Sequence, residues 1–292
     1  MKRKLLILYL LLPFKIFAQL PDTDIFIADL KNGNGKISFG SPLNITHRKG
    51  YDNQPYFTPD GKAILYVSVV DTTQSDVYRY DLKSKLTARV TNTPESEYSP
   101  SYAPDGRSMS VVRVDKDSGQ RLYNLAIAQI KDAQVVKGTD SIGYYCWLNE
   151  TQLAMFILGP ANSLQVLDTK THQRKLIASD IGRCMKMSHD NKSLLFVIKQ
   201  NANEWSIFKM DLLNFGLSKV TTTLKGNEDF AVMGDGTLLM GKDGKLYGFK
   251  PGADQDWIEI ADFTSTIKSF YRISLNAKKD RIAFVAYTGE KP

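Results

Sequence analysis

A hairpin pattern that recurs along the chain constrains the fold more than any other feature of the sequence. Gln54–Lys62 reads QPYFTPDGK and Ser99–Arg107 reads SPSYAPDGR. In Pro-Asp-Gly the proline fixes φ, the aspartate hydrogen-bonds to the local backbone, and the glycine accepts a positive φ, so the tripeptide favours a tight turn. Apolar residues alternate on both sides of it, which is typical of paired strands. Each segment is therefore predicted to be a β-hairpin.

Four weaker copies of the turn follow, and the six aligned turns lie 41 to 45 residues apart. The turn positions are Asp60, Asp105, Asn149, Asp190, Asp235 and Asn276. Three and five residues before each turn stands an apolar or aromatic residue or a proline, so this face of each strand is predicted to be buried. The position between them varies along the chain and reads Tyr56, Ser101, Tyr145, Lys186, Ala231 and Arg272.

A second repeated strand lies between the hairpins. Asp24–Leu30 reads DIFIADL and Asp76–Leu82 reads DVYRYDL, and weaker copies begin at Asn124, Ser163, Ser206 and Lys245. A short fourth strand follows each copy, so one unit holds four strands in about 40–50 residues, as in a β-propeller blade. No segment shows the 3.6-residue apolar period of a helix. The sequence therefore predicts an all-β fold.

Six hairpins and six third strands predict a six-bladed β-propeller of four antiparallel strands per blade, as one domain over residues 22–290. The strand order is offset, because the chain opens with third and fourth strands at Asp24–Ile45 and ends with first and second strands at Phe270–Tyr287. We therefore expect the N-terminal strands to pair with the C-terminal strands and close the ring, which removes open sheet edges. An open sandwich and a seven-bladed ring are the alternatives.

Residues 1–18 have the layout of a secretory signal peptide. Basic Lys2–Lys4 precede the apolar run Leu5–Leu12, and Ala18 offers a small residue for cleavage. The run is about half the ~20 residues that span a bilayer, so an uncleaved anchor is the less favoured alternative. We expect a mature chain without a transmembrane segment, in the periplasm or secreted. Its net charge falls from +7 to +3 without residues 1–18, which argues against nucleic-acid binding.

The Pro-Asp-Gly hairpin followed by Asp-x-Tyr-x-x-Asp-Leu resembles the repeat of the TolB-like propeller family. The likeness covers residues 22–287 and is most specific around Asp60 and Asp105. It implies a six-bladed propeller in the bacterial cell envelope that binds protein partners. TolB itself carries an α/β domain before its propeller, and the predicted signal peptide ends too close to Asp22 to leave room for one. The resemblance therefore implies architecture and compartment more strongly than a particular partner.

No motif of specific catalytic or metal-binding form is present. The sequence lacks the G-x-S-x-G nucleophile turn and the H-x-H and H-E-x-x-H metal motifs. Its histidines, His47, His172 and His189, fall in predicted turns or loops. Asp115 and Asp117 alternate as calcium ligands can, but no further acidic ligand accompanies them, so a solvated loop is predicted. We predict no metal site and no cofactor.

Two cysteines, Cys146 and Cys184, would reach an oxidising compartment if the chain is exported, where a disulfide could form. Cys146 lies three residues before its aligned turn and Cys184 lies six before its own. This offset is about 10 Å along neighbouring strands, which exceeds the reach of a disulfide. We expect two free cysteines, with Cys146 on the buried face.

Propellers usually bind ligands at one end of the central channel, where loops from distant chain positions meet. The candidate rim residues lie in the segments that enter the first strands. They are Tyr51, Asp52, Glu97, Tyr98, Ser141, Arg183, Glu228 and Lys268. Their mixed charges do not resemble a dedicated metal or phosphate site, whereas the tyrosines suit protein recognition.

The sequence therefore predicts an exported, non-enzymatic, monomeric propeller that binds a protein or peptide in the cell envelope. One alternative is a hydrolase, lyase or lactonase whose polar channel residues are dispersed along the chain, and another is a carbohydrate or small-ligand binder. An enzyme should bring three or more inward polar residues within hydrogen-bond distance, or bind a metal. A binding module should present a broad, shallow face with exposed aromatic residues.

Overall fold

A computed structural model describes residues 20–33, 36–70 and 74–289, and every regular element in these ranges is a β-strand. This confirms the predicted all-β class. The predicted signal peptide at 1–18 and residue 290, the end of the predicted domain, lie outside the described residues. Across the described ranges there is no helix with the length and apolar character needed to cross a membrane.

Twenty-five strands follow one another within the described ranges. The first seven are β1 (Thr23–Gly33), β2 (Lys36–Phe39), β3 (Leu43–Asn44), β4 (Tyr51–Phe57), β5 (Ala63–Val69), β6 (Asp76–Asp81) and β7 (Thr87–Arg89). The next eight are β8 (Ser96–Tyr102), β9 (Ser108–Val114), β10 (Gln120–Ala126), β11 (Gln129–Val135), β12 (Ile142–Trp147), β13 (Gln152–Ile157), β14 (Ser163–Asp168) and β15 (Arg174–Ser179). The last ten are β16 (Ile181–Met187), β17 (Ser193–Lys199), β18 (Trp205–Asp211), β19 (Leu217–Thr222), β20 (Phe230–Val232), β21 (Leu238–Lys242), β22 (Lys245–Phe249), β23 (Ile258–Asp262), β24 (Phe270–Leu275) and β25 (Arg281–Tyr287).

Four sheets each contain four consecutive antiparallel strands: β8–β11, β12–β15, β16–β19 and β20–β23. The other nine strands form one sheet in which β1 is the junction. Strand β1 pairs antiparallel with β25 over seven residue pairs, from Thr23 opposite Tyr287 to Asp29 opposite Arg281. Strands β2 and β3 also pair with β1, and a single parallel bridge between Thr23 and Tyr51 connects β1 to β4. The two ends of the chain therefore share one sheet.

The first strand of most four-strand units contains a register shift. The pairing of β4 with β5 shifts between Asn53 and Tyr56, and the pairing of β8 with β9 shifts between Tyr98 and Ser101. Similar shifts occur in β12, β16 and β24. Such bulges add unpaired residues to one strand and redirect its side chains. Strict two-residue alternation therefore holds only on the turn side of each bulge.

The cysteines show the consequence of the bulge. Both are free, as predicted. One of them, Cys184, is buried, and Cys146 is half-buried and packs against an apolar cluster between the sheets. Cys184 lies within the register shift of β16, between Ile181 and Met185, where alternation counted back from the turn no longer applies. Burial raises the pKa of the Cys184 thiol to about 11, which keeps it protonated and unreactive near neutral pH.

The second strands supply the apolar contacts between sheets. Residues two positions apart in these strands are almost fully buried, as alternation requires on a face that packs against a neighbouring sheet. They are Ile64, Tyr66, Met109, Val111, Leu153, Met155, Leu194 and Phe196. Phe57 joins Ile25 and Ile64 in one such cluster, whereas Tyr56 is half-buried and stacks on Tyr102 with ring centroids 6.3 Å apart.

We expect Phe57→Ala to lower the free energy of unfolding by roughly 3–5 kcal/mol, because a buried aromatic side chain is lost and a cavity remains. Tyr56→Ala is the matched control and should cost less, since its ring is partly open to the central cavity. Denaturant melts of the two variants and the parent chain measure both values. Equal losses would contradict the assignment of the two faces of β4.

We also expect deletion of residues 20–45 to destabilise the chain far from the deletion. The deletion removes β1–β3, leaves the edge of β25 unpaired and strips Ile25 from its apolar cluster. Thermal unfolding followed by circular dichroism should show a lower and broader transition. A truncated chain that melts as sharply and at the same temperature as the parent would show that the β1–β25 pairing contributes little.

Candidate functional site

The first strands surround a central cavity of about 150 Å³. The sequence position that varies among the repeats points into it: Tyr56, Ser101, Tyr145, Lys186 and Arg272 all line this cavity. The apolar neighbours of these residues pack between the sheets, so the variable face of each first strand is the face turned toward the cavity. Side chains from distant parts of the chain are thereby brought together around one space.

A carboxylate shared by two guanidinium groups forms the polar centre of this cavity. Arg183 donates from Nε to Asp229 Oδ1 at 3.3 Å and makes a second hydrogen bond from Nη2 to Oδ2. Arg272 Nε lies 3.7 Å from the same Oδ1. Arg272 also donates to Asn53 Oδ1 at 3.0 Å and to the Tyr144 hydroxyl at 3.4 Å. We call Arg183, Asp229, Arg272, Asn53 and Tyr144 the arginine cluster.

Neighbouring charges hold Arg183 in place. Glu228 Oε1 lies 3.0 Å from Arg183 Nη1, and Glu228 Oε2 accepts from the Arg183 backbone N–H at 3.0 Å. Lys199 Nζ is 3.0 Å from the same Oε2. Burial opposes the charge on Arg183, but the carboxylates of Asp229 and Glu228 outweigh it and raise the pKa of this guanidinium. The cluster is therefore a fixed, charged surface rather than a set of mobile side chains.

Two further cavities extend from the arginine cluster across the same end of the molecule. One of about 200 Å³ shares Arg183 and Asp229 with the central cavity and reaches Trp205. The next, of about 230 Å³, shares Trp205 and Lys225 with it. Lys199 Nζ lies 4.2 Å from the ring centroid of Trp205. We call these three neighbouring cavities, which share lining residues, the end-face cleft.

Of the eight predicted rim residues, Arg183 and Glu228 lie together at the end-face cleft. Tyr51 is close enough for the charge of Arg272 to act on it, and burial raises its pKa well above the ordinary value. Tyr98 is half-buried and packs against an apolar cluster, whereas Ser141 and Lys268 are exposed. A binding role for any of these residues stays a prediction.

Asp52 and Glu97, two of the predicted rim residues, are both fully buried. Asp52 pairs with Arg48 at 2.6 Å and Glu97 pairs with Arg113 at 3.2 Å. Burial raises the pKa of each carboxyl, and hydrogen bonds from Ser68 to Asp52 and from Thr93 to Glu97 oppose the shift. Both carboxylates therefore serve pairing within their own sheets.

Sequence reasoning missed four members of the arginine cluster, namely Asn53, Tyr144, Asp229 and Arg272. Asn53 and Asp229 directly follow the predicted Asp52 and Glu228, and for Asn53 the register shift before Tyr56 breaks the alternation counted back from the turn. Arg272 had a usable signal, because it occupies the varying position that faces the cavity. No residue pattern in this sequence marks the position of the bulge.

The two aspartates considered as calcium ligands form ion pairs within the protein. Asp115 and Asp117 both pair with Arg121, at 2.6 and 3.0 Å, so neither carboxylate is free for a cation. Within the described ranges, no three or more His, Cys, Asp or Glu residues are grouped so that they could hold a metal ion.

Comparison with known proteins finds distant sequence relatives and structural relatives. No family model matches the chain. Dipeptidyl-peptidase 5 of Porphyromonas gingivalis is 26% identical over 143 residues, which are 46% of this chain and 19% of that protein. The chain therefore spans about a fifth of that relative. The match leaves most of the peptidase without a counterpart here.

Solved propeller structures match over most of the chain. A TolB protein of Agrobacterium tumefaciens matches with a TM-score of 0.68 at 11% identity, covering 93% of this chain and all of that one. TolB of Acinetobacter baumannii matches with a TM-score of 0.59 at 15% identity, over 91% of this chain and 65% of that one. A gluconolactonase of Xanthomonas campestris matches with a TM-score of 0.65 at 7% identity, over 93% of this chain and 99% of that one.

Other matching structures are an oligogalacturonate lyase with manganese and a nidogen–laminin complex. At these low identities the likeness concerns the fold and not the activity. The chain therefore has the fold of a TolB-like β-propeller.

Proposed function

We propose that the sheets form six blades of a closed ring, as one domain over residues 22–290. The single bridge between Thr23 and Tyr51 separates two four-stranded blades within the nine-stranded sheet, β24-β25-β1-β2 and β4–β7, and the two-residue strand β3 is an additional partner of β1. Each blade contacts the next, and β24 contacts both β20 and β4. Contacts that return to their starting sheet support a ring.

We further propose that the chain is an exported, monomeric, non-enzymatic module that binds an extended segment of a protein partner in the end-face cleft. The observation that carries this proposal is the continuity of the three cavities from the arginine cluster to Trp205. An extended peptide needs a long, shallow groove, and this cleft runs from the central cavity toward the outer strands β18 and β19. The sequence pattern of residues 1–18 supports export to the periplasm or beyond.

The residues of the cleft suit such a ligand. Trp205 is half-buried and lines two of the three cavities, with Lys199 Nζ over its ring, and tryptophan is frequent among the residues that dominate binding energy. Arg183 and Arg272 are preorganised by Asp229, so binding a polar backbone group next to them costs little reordering. The likeness to TolB and nidogen structures agrees with protein recognition.

The test is affinity for a partner captured from envelope extract with the mature chain and then purified. We expect Trp205→Ala with Lys225→Ala to weaken its binding at least 10-fold, while the melting temperature changes little. Lys192→Ala with Leu213→Ala is the control, because both residues are exposed on turns at the opposite end. Equal affinity of the two double variants would exclude the end-face cleft as the binding site.

An enzyme is the second candidate, because the arginine cluster meets the expectation of inward polar residues within hydrogen-bond distance. The likeness to lactonase and lyase propellers favours it too. On our proposal the mature chain turns over gluconolactone, oligogalacturonate and dipeptide substrates no faster than buffer does. Turnover that Asp229→Asn abolishes, without loss of folding, would replace the binding proposal with an enzymatic one.

A further inference from the structure

The opposite end of the central space holds a second, larger cavity of about 570 Å³. It lies among the hairpin turns that follow the first strands, and Tyr56 and Lys186 line both it and the central cavity. We call it the hairpin-end cavity. Three of its lining residues are basic, namely Lys186, His189 and Lys279, and the remaining ones are apolar or neutral polar.

No aspartate or glutamate of the described residues lines the hairpin-end cavity. Nor do Lys186 and Lys279 form an ion pair with any residue that the structure describes. This contrasts with the arginine cluster, where Asp229 and Glu228 neutralise the guanidinium and ammonium groups around them. Charged groups in partly buried places are normally paired, so two unpaired lysines in one cavity need an explanation.

Asp60 and Asp190, in the surrounding turns, form hydrogen bonds within their own turns. Asp60 accepts from the Thr58 hydroxyl at 2.6 Å and from the Lys62 backbone at 3.0 Å. Asp190 accepts in the same manner from Ser188 and from the Lys192 backbone. These hydrogen bonds hold the carboxylates at the turns and lower the pKa of both. They therefore stabilise the hairpins rather than the lysines.

The two lysines also act on each other. Burial lowers the pKa of Lys279, and the positive charge of Lys186 lowers it further. The backbone fixes the position of Lys279, because its N–H donates to the Asn276 carbonyl at 3.0 Å within the turn. His189 is held beside the neighbouring turn, near Gly236. The hairpins therefore place like charges around one cavity.

We propose that the hairpin-end cavity binds a small organic anion that carries at least two carboxylate or phosphate groups. Lys186 and Lys279 would each receive one anionic group, because an ammonium binds either group as a point charge. A volume of about 570 Å³ lies within the roughly 300–1,000 Å³ of small-molecule sites. This site lies at the other end of the central space from the end-face cleft and does not depend on the proposed partner.

The binding test uses isothermal titration of the mature chain with citrate and, separately, with tripolyphosphate. We expect saturable binding of at least one probe, weakened at least 10-fold by Lys186→Gln with Lys279→Gln. Lys83→Gln with Lys116→Gln removes the same charge from exposed sites and should leave affinity unchanged. Binding of citrate alone would indicate a carboxylate ligand, and binding of tripolyphosphate alone a phosphate ligand.

A second measurement separates a binding role of the lysines from a structural one. Without ligand, we expect Lys186→Gln with Lys279→Gln to raise the melting temperature, because it removes repulsion between like charges. A lower melting temperature would mean that the lysines stabilise the fold and would overturn the proposal. Equal probe affinity in all three chains, or no binding of either probe at millimolar concentration, would overturn it as well.

The proposed anion site and the proposed partner cleft can be tested independently of each other. Trp205→Ala with Lys225→Ala changes the end-face cleft only, so this variant should bind citrate or tripolyphosphate as the parent chain does. Loss of anion binding in this variant would place the anion at the end-face cleft and contradict the hairpin-end site.

Discussion

The pairing of β1 with β25 is the interaction on which the rest of this structure depends. A sheet edge exposes unpaired N–H and C=O groups, and this pairing satisfies those of the first and last strands of the chain together. It also places Ile25 in the cluster that buries Phe57 and Ile64. Because β24 lies on the far side of β25, the same pairing carries Arg272 to the central cavity, opposite Asn53.

The cationic side chains at the two ends of the central space differ in whether a carboxylate lies beside them. At the arginine cluster Asp229 lies beside both Arg183 and Arg272, and hydrogen bonds and ion pairs hold the three side chains together. At the hairpin-end cavity the carboxylates cap their own turns, and Lys186 and Lys279 face each other's charge. The first arrangement suits recognition of a neutral, extended segment, and the second suits an anion.

Buried carboxylates in this protein pair either within a sheet or at the central cavity. Their distance in sequence from the hairpin turn does not reveal which. Asp52 and Asp229 stand at nearly the same distance before their turns, yet Asp52 pairs with Arg48 inside its sheet and Asp229 joins two arginines at the cavity. The difference is local backbone geometry. Gln54, with its positive φ of 56°, lies in the bulge between Asn53 and Tyr56, so alternation counted back from the turn does not extend to Asp52 and Asn53.

The sequence by itself determined the class of fold and the repeated unit. Pro-Asp-Gly turns and two-residue alternation fix each hairpin through interactions between near neighbours, so Phe57 and Ile64 could be assigned to the core. The binding residues could not be assigned in this way, because bulges interrupt the alternation where the strands approach the cavity. Contacts between strands far apart in the chain decide which residue of each pair, Asp52 or Asn53 and Glu228 or Asp229, points inward. They also bring the charge of Lys186 near Lys279. Only the tertiary structure decides such contacts.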